Sequence, residues 1–259
     1  MHTIRTYGQA PFRVAVIHGG PGAPGEMAPV ARELARQRGV LEPLQTATSL
    51  EGQVRELRMA LEHHGDPPVT LVGFSWGAML SFLVAGRYPT LVNKLILVGS
   101  AVFDAQYAPQ IMETRLGRLR ADERREAEAA LMTLRAPTGP ATGPALARLG
   151  ALLTAADAYD PLPDAHEVVE VQGDVFQQVW PAAEELRASG KLLELGRQMA
   201  CPVVALHGDY DPHPAAGIRI PLGQVLHDFR FVTLEHCGHR PWIERHARES
   251  FFQFLEGEL

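Results

Sequence analysis

Ser75, Asp211 and His239 are the residue types that acyl transfer to a hydroxyl requires, and they stand in the chain order serine, acid, histidine. A serine hydroxyl is a weak nucleophile near neutral pH. A base must take its proton, and an acid must orient that base. Ser75 lies in Gly73-Phe74-Ser75-Trp76-Gly77, where the apolar period switches from that of a buried strand (Val69 to Val72) to that of a helix (Met79, Leu80, Leu83, Val84). A turn this tight strains the serine backbone, and side chains two residues to either side would collide with the neighbouring strand or helix, which glycine avoids. Asp211 falls just beyond a strand ending at Gly208. His239 falls just beyond the last strand, after Glu235-His236-Cys237-Gly238. Asp209 and Asp104 are alternative acids, and His236 is an alternative base. His63, His64, His227 and His246 fall on or beside expected helices.

A tetrahedral intermediate also needs two fixed donors for its oxygen. His18-Gly19-Gly20-Pro21-Gly22 ends the first clear strand, and its glycines let backbone N–H groups approach without side chains in the way. The expected donors are the N–H groups of Gly20 and of Trp76. A phosphate-binding loop is the rival reading of the glycines, but neither the G-x-x-x-x-G-K-[ST] nor the G-x-G-x-x-G spacing occurs. The alternation His207, Asp209, Asp211, His213 also resembles a set of metal ligands on an extended chain. Pro212 and Pro214 break that extension, so no metal and no cofactor is expected.

The elements that must position these groups read as strand, helix, strand, helix, strand, helix, strand over the first hundred residues: Phe12–Ile17, a helix over Glu26–Arg38, a weak strand at Val40–Thr46, a helix from the Ser49 cap to His63, the elbow strand and helix, and Lys94–Gly99. At most one short strand fits before the first. This order implies a parallel sheet with right-handed crossovers. Over residues 104–195 strand-like runs vanish, and helical segments are interrupted at Pro137–Pro144, read as a mobile connector, and at Tyr159–Pro163. The sheet resumes at Pro202–Gly208 and Phe229–Leu234, and a helix is expected from Pro241 to Leu255. The division is therefore a core of residues 1–103 and 196–259 with a helical insertion, 104–195.

Composition bounds the alternatives. A chain of 259 residues with 46% apolar and 21% charged residues is ordinary for a globular protein with a sizeable core. A net charge of −6 argues against a nucleic-acid surface, and the basic run Arg115–Arg125 is interrupted by Asp122 and Glu123. No apolar run reaches the roughly 20 residues of a membrane span. No signal-like segment precedes the first strand, so a cytoplasmic location is expected. Cys201 and Cys237 are expected to lie at opposite ends of the sheet as free thiols.

With these motifs the chain resembles the α/β-hydrolase family over nearly its whole length, with residues 104–195 as the cap which that family inserts after its sixth strand. His18-Gly-Gly-Pro-Gly22 and Gly-Phe-Ser75-Trp-Gly resemble in particular the cap-bearing branch that contains proline iminopeptidases. The resemblance implies Ser75 as nucleophile, Asp211 as acid, His239 as base, and Gly20 with Trp76 as oxyanion donors. Those peptidases carry glycine where Phe74 and Ala23 stand here. They bind the substrate amine through acidic cap residues, for which Glu167, Glu170, Asp174, Glu184 and Glu185 are the candidates here, and a charged helix surface explains the same acids equally well. The expected reaction is hydrolysis of a small ester or amide through an acyl-enzyme, with aminopeptidase activity or non-catalytic ligand binding as the alternatives. Phe103, Phe176 and Trp180 are expected to line the substrate pocket.

Overall fold

The structure, a computed structural model, describes residues 4–135, 142–163 and 172–259. Seven strands form one sheet: β1 (Ile4–Tyr7), β2 (Val14–Ile17), β3 (Val40–Pro43), β4 (Val69–Phe74), β5 (Val92–Val98), β6 (Val203–Gly208) and β7 (Phe229–Leu234). Their spatial order is β1-β3-β2-β4-β5-β6-β7. Every pairing is parallel except β1 with β3, where the first strand runs back along the edge. The central strands β2, β4 and β6 are buried at every position, as parallel strands covered on both faces must be.

On one face lie α1 (Ala28–Leu34) and α10 (Arg248–Glu258), sealing a core of Val30, Leu34, Val72, Val98, Phe251 and Leu255. The other face carries α2 (Leu50–His64), α3 (Trp76–Arg87) and α9 (Ala216–Val225). Ser49 caps α2 as its sequence signals, its Oγ accepting from the Gly52 N–H at 3.1 Å. Helix α3 is buried from Trp76 through Gly86, so the element that follows the elbow is central to the fold.

Among the described residues, the regular elements between β5 and β6 are helical: a short 3-10 turn (Ala105–Tyr107), α4 (Ala108–Arg118), α5 (Ala121–Arg135), α6 (Thr142–Asp157), α7 (Gly173–Ala188) and α8 (Lys191–Gly196). This is the place of the expected cap. Helices α5 and α6 bury Ala127, Ala130, Leu149 and Leu152 in a small core of their own, whereas α7 docks Val175, Val179 and Ala183 into the main one. Of the expected connector, Thr142–Pro144 already belong to α6, and the remainder lies outside the described residues. So do Glu167 and Glu170.

Two expected helices come out shorter. The one predicted over Glu26–Arg38 is regular only over α1. The one predicted from Pro241 is a 3-10 turn at Pro241–Ile243, then a break, then α10. The break has a cause at Glu244, which caps the turn in extended conformation while its carboxylate serves backbone groups elsewhere. Cys201 and Cys237 are buried free thiols, and burial pushes Cys201 up to about 11 and raises Cys237 further. No helix among the described residues is long and apolar enough to cross a membrane.

Candidate active site

The elbow is built by close approach. A methyl on Gly73 would stand 2.4 Å from the Gly77 carbonyl oxygen, and one on Gly77 would stand 2.2 Å from that of Ile17, distances no real Cβ shows. Helix α3 therefore starts flush against the ends of β2 and β4. Ser75, between them, takes φ +53° and ψ −114°, a conformation costing a non-glycine residue about 1–3 kcal/mol. Its N–H donates to the Val98 carbonyl at 3.0 Å, and its hydroxyl makes no capping bond to its own helix.

Beyond β6 and β7, Asp211 and His239 come together, with Nδ1 of the imidazole 2.8 Å from Oδ2 of the carboxylate. Both are buried. Burial alone would raise Asp211, but His239, His207 and His213 around it hold its carboxyl well below the usual carboxylate range. It is then an acceptor only, so His239 must donate from Nδ1, which leaves Nε2 with its lone pair. The two halves of the site meet at Gly99, where a methyl would be 3.1 Å from His239 Nδ1 and 3.2 Å from the Phe74 ring. The Phe74 and His239 rings are 4.8 Å apart. His239 thus packs on the residue adjoining Ser75, although no hydrogen bond between Ser75 Oγ and His239 is formed among the described residues.

The alternatives from the sequence go elsewhere. Asp209 accepts the Cys237 N–H at 3.0 Å, and Asp104 caps the 3-10 turn by accepting from Gln106. His236 is exposed, with φ +51°, and packs against Tyr159 and His246.

The His18–Gly22 loop lies against the elbow, and a methyl on Gly19 would be 3.0 Å from the Phe74 ring. Burial pushes the His18 imidazole down. Its Nε2 accepts the Gln45 N–H at 3.3 Å, so Nδ1 carries the proton and donates to the Gly19 carbonyl at 2.8 Å. The Gly19 N–H is spent on Glu26 Oε2. Those of Gly20 and Trp76 donate to no described residue. Trp76 is held by its indole, which donates to Gln53 Oε1 at 3.3 Å.

Asp211, His213 and His239 form the one group among the described residues with three ligand-type atoms close enough to share a metal ion. Both Nδ1 atoms are engaged by the Asp211 carboxylate, His213 on Oδ1 and His239 on Oδ2.

Residues 13–245 match the model of the α/β hydrolase fold family. The chain belongs to that family. Among solved structures, it is similar to Est816, an N-acyl homoserine lactone degrading enzyme (14% identity, TM-score 0.65, covering 99% of this chain and 96% of that one). It is also similar to the enol-lactonase from Burkholderia xenovorans LB400 (16%, 0.60, 98% and 94%) and to proline iminopeptidase from Mycobacterium smegmatis (18%, 0.60, 98% and 94%). No curated protein sequence matches.

Within this hydrolase fold, two of the three expected pocket residues stand near the elbow. Phe176 and Trp180 stack on one side of α7 with rings 5.8 Å apart, and Trp180 meets Trp76 edge-on at 6.4 Å. The start of α7 abuts the glycine loop, the Gln172 N–H donating to the Gly22 carbonyl at 2.7 Å. Phe103 departs from the expectation: it is fully buried, edge-on to Phe82, and exposes no surface to a ligand.

The groups that fix the His239 loop were missed in the sequence. Glu244 accepts the N–H groups of Gly238, Tyr159 and Asp160 at 2.8 to 3.0 Å. The Asp157 carbonyl accepts the His239 N–H at 2.8 Å, while its carboxylate takes both arms of Arg115 from α4 at 2.7 Å. Arg240 donates to Glu26 at 2.9 Å, which joins the histidine loop to the glycine loop. Only the capping signature at Ser49 announces a comparable bond in the sequence. Glu244 and Gly238 are six residues apart in no local capping pattern, and the others join residues far apart.

Proposed function

We propose that the protein is a serine hydrolase acting on a small carboxylic ester or amide through an acyl-enzyme. The observation that carries this is the Asp211–His239 hydrogen bond packed on Phe74, beside a serine in strained positive-φ conformation at the head of a buried helix. Ser75 Oγ attacks the carbonyl carbon and its proton passes to His239 Nε2. Asp211 holds the imidazole in the tautomer that can accept it and stabilises the imidazolium. The N–H groups of Gly20 and Trp76 hold the oxyanion. The imidazolium protonates the leaving group, and water then repeats the sequence in reverse to free the acid.

Family membership and the lactonase and peptidase likenesses support hydrolysis in general. Phe176 and Trp180 favour an apolar acyl group at the mouth of the site. Among the described residues, the acids that would mark an aminopeptidase give that reading no support: Asp174, Glu184 and Glu185 are exposed on α7, and Glu184 lies 3.7 Å from Arg187.

A panel of p-nitrophenyl esters of graded chain length, run beside aminoacyl arylamides, tests the proposal. Ester turnover with a pre-steady-state burst is expected. Turnover of arylamides alone would replace the reading with the peptidase. Silence on both, with measurable ligand binding, would make the protein a non-catalytic member of its family.

A further inference from the structure

We propose that His213 is a positioning residue for the acid–base pair: it fixes one oxygen of Asp211 so that the other faces His239, and it draws off part of the carboxylate's charge. The catalytic consequence rests on the serine-hydrolase reading, whereas the geometry does not.

Asp211 carries two imidazoles rather than one. Oδ1 accepts both the backbone N–H of His213 at 2.9 Å and its Nδ1 at 2.7 Å, while Oδ2 accepts His239 Nδ1. The rings of His213 and His239 stack with centroids 4.5 Å apart and planes 26° apart. The Asp211 side chain is wholly buried, so every lone pair it commits goes to protein. A carboxylate held through one oxygen is free to turn about its Cβ–Cγ bond, but two donors on Oδ1 and one on Oδ2 remove that freedom. The loop is itself tied down, because His207 at the end of β6 donates from Nε2 to the His213 carbonyl at 2.8 Å.

The same contacts set how much of the carboxylate's charge reaches His239. Each N–H that binds the anion leaves less of its field for the imidazolium that forms on His239, which is therefore a weaker base than with Asp211 to itself. His213 faces Asp211 on its own loop, His239 from the loop after β7, His207 from β6 and Arg115 from α4. Burial first, and then the His239 and Arg115 charges, push its imidazole down to about 4 against the pull of Asp211. Near neutral pH it is thus a neutral donor.

Two variants separate this role from simple packing. In H213N the side-chain amide retains an N–H close to the Nδ1 position, whereas H213L keeps bulk without a donor. Two readouts are compared: the acid limb of kcat/KM, and the titration of the His239 ring followed by ¹⁵N NMR, which needs no turnover. For H213L, kcat falls about tenfold, the loss expected for one charge-assisted hydrogen bond. Its acid limb and its NMR midpoint both move to higher pH by roughly half to one unit, and H213N stays close to wild type in both. If the leucine prevents folding, H213A supplies the donor-free comparison. Unchanged midpoints in a folded donor-free variant would overturn the proposal, as would equal shifts in H213N. If no form turns over ester but the NMR shift appears only without the donor, the positioning role stands and the hydrolase reading falls. If ester is turned over but all forms titrate identically, the hydrolase reading stands and the positioning role falls.

Discussion

At the elbow, Gly73 and Gly77 allow backbone segments to approach to distances no Cβ would permit, and no side-chain hydrogen bond fixes Ser75. Beyond β7, by contrast, His239 is held by the Asp211 carboxylate at its ring and the Asp157 carbonyl at its backbone, and Glu244 holds the neighbouring Gly238. One half of the site is placed by what its neighbours lack, and the other by what surrounds it. Steric placement does not depend on pH. A network of buried carboxylates and imidazoles does, so the two halves should fail in different ways.

The largest effect isolates the serine side. S75A should lower kcat by on the order of 10⁶ while leaving thermal stability unchanged or slightly raised, since the hydroxyl makes no bond within its helix; activity and melting measurements on the same preparation check it. On the other side, D211N keeps the shape but offers an N–H where an acceptor is needed, and kcat should drop about 10⁴-fold with little change in KM.

The contrast sharpens when backbone rather than chemistry is altered. G77A would bring a methyl within 2.2 Å of the Ile17 carbonyl, and denaturant unfolding should show a loss of about 4 kcal/mol or more, or no folded protein. E244Q removes one acceptor oxygen and should cost roughly 1–3 kcal/mol. It acts by loosening the His239 loop, so kcat should fall well before the fold does.

The acid–base half should also show itself in stability against pH. His213 titrates at about 4 when folded, below its ordinary 6.5, so the unfolded chain binds a proton in that interval and the folded chain does not. Stability is therefore lost as pH falls from about 6.5 towards 4, by roughly 3 kcal/mol at the lower end. H213N should flatten that part of the curve. Asp211, depressed when folded, adds stability above the ordinary carboxylate range that is lost only in stronger acid. On the proposed mechanism Asp211 stays ionised near neutral pH, so the rate should fall in acid as His239, the base, takes up a proton. A rate profile that stays flat down to pH 4 would contradict this assignment.

The same division decides what could be read from the sequence. The elbow was legible because steric demand restricts residue type at fixed spacing, and two glycines around a serine at a strand-to-helix switch leave few alternatives. Asp211 and His239 were legible by chain order and by their place after strands. Glu244 was not, because its partner Tyr159 lies 85 residues away and an acid that serves backbone groups has no local pattern. For the same reason the helix expected from Pro241 is interrupted where that carboxylate is needed. His213 was noticed only in an alternation resembling metal ligands, since its bond to Asp211 depends on how the loop folds over two prolines. Phe103 was expected in the pocket as an aromatic residue after β5, but it fills a space beside Phe82 that no sequence pattern reveals.

The assignment of Ser75 as nucleophile is tested most directly by treating the wild-type protein with a fluorophosphonate and locating the adduct by peptide mass spectrometry. A single phosphonylated residue, Ser75, is expected, with labelling abolished in S75A and greatly slowed in H239A. An adduct on any other side chain, or labelling in S75A equal to wild type, would contradict it.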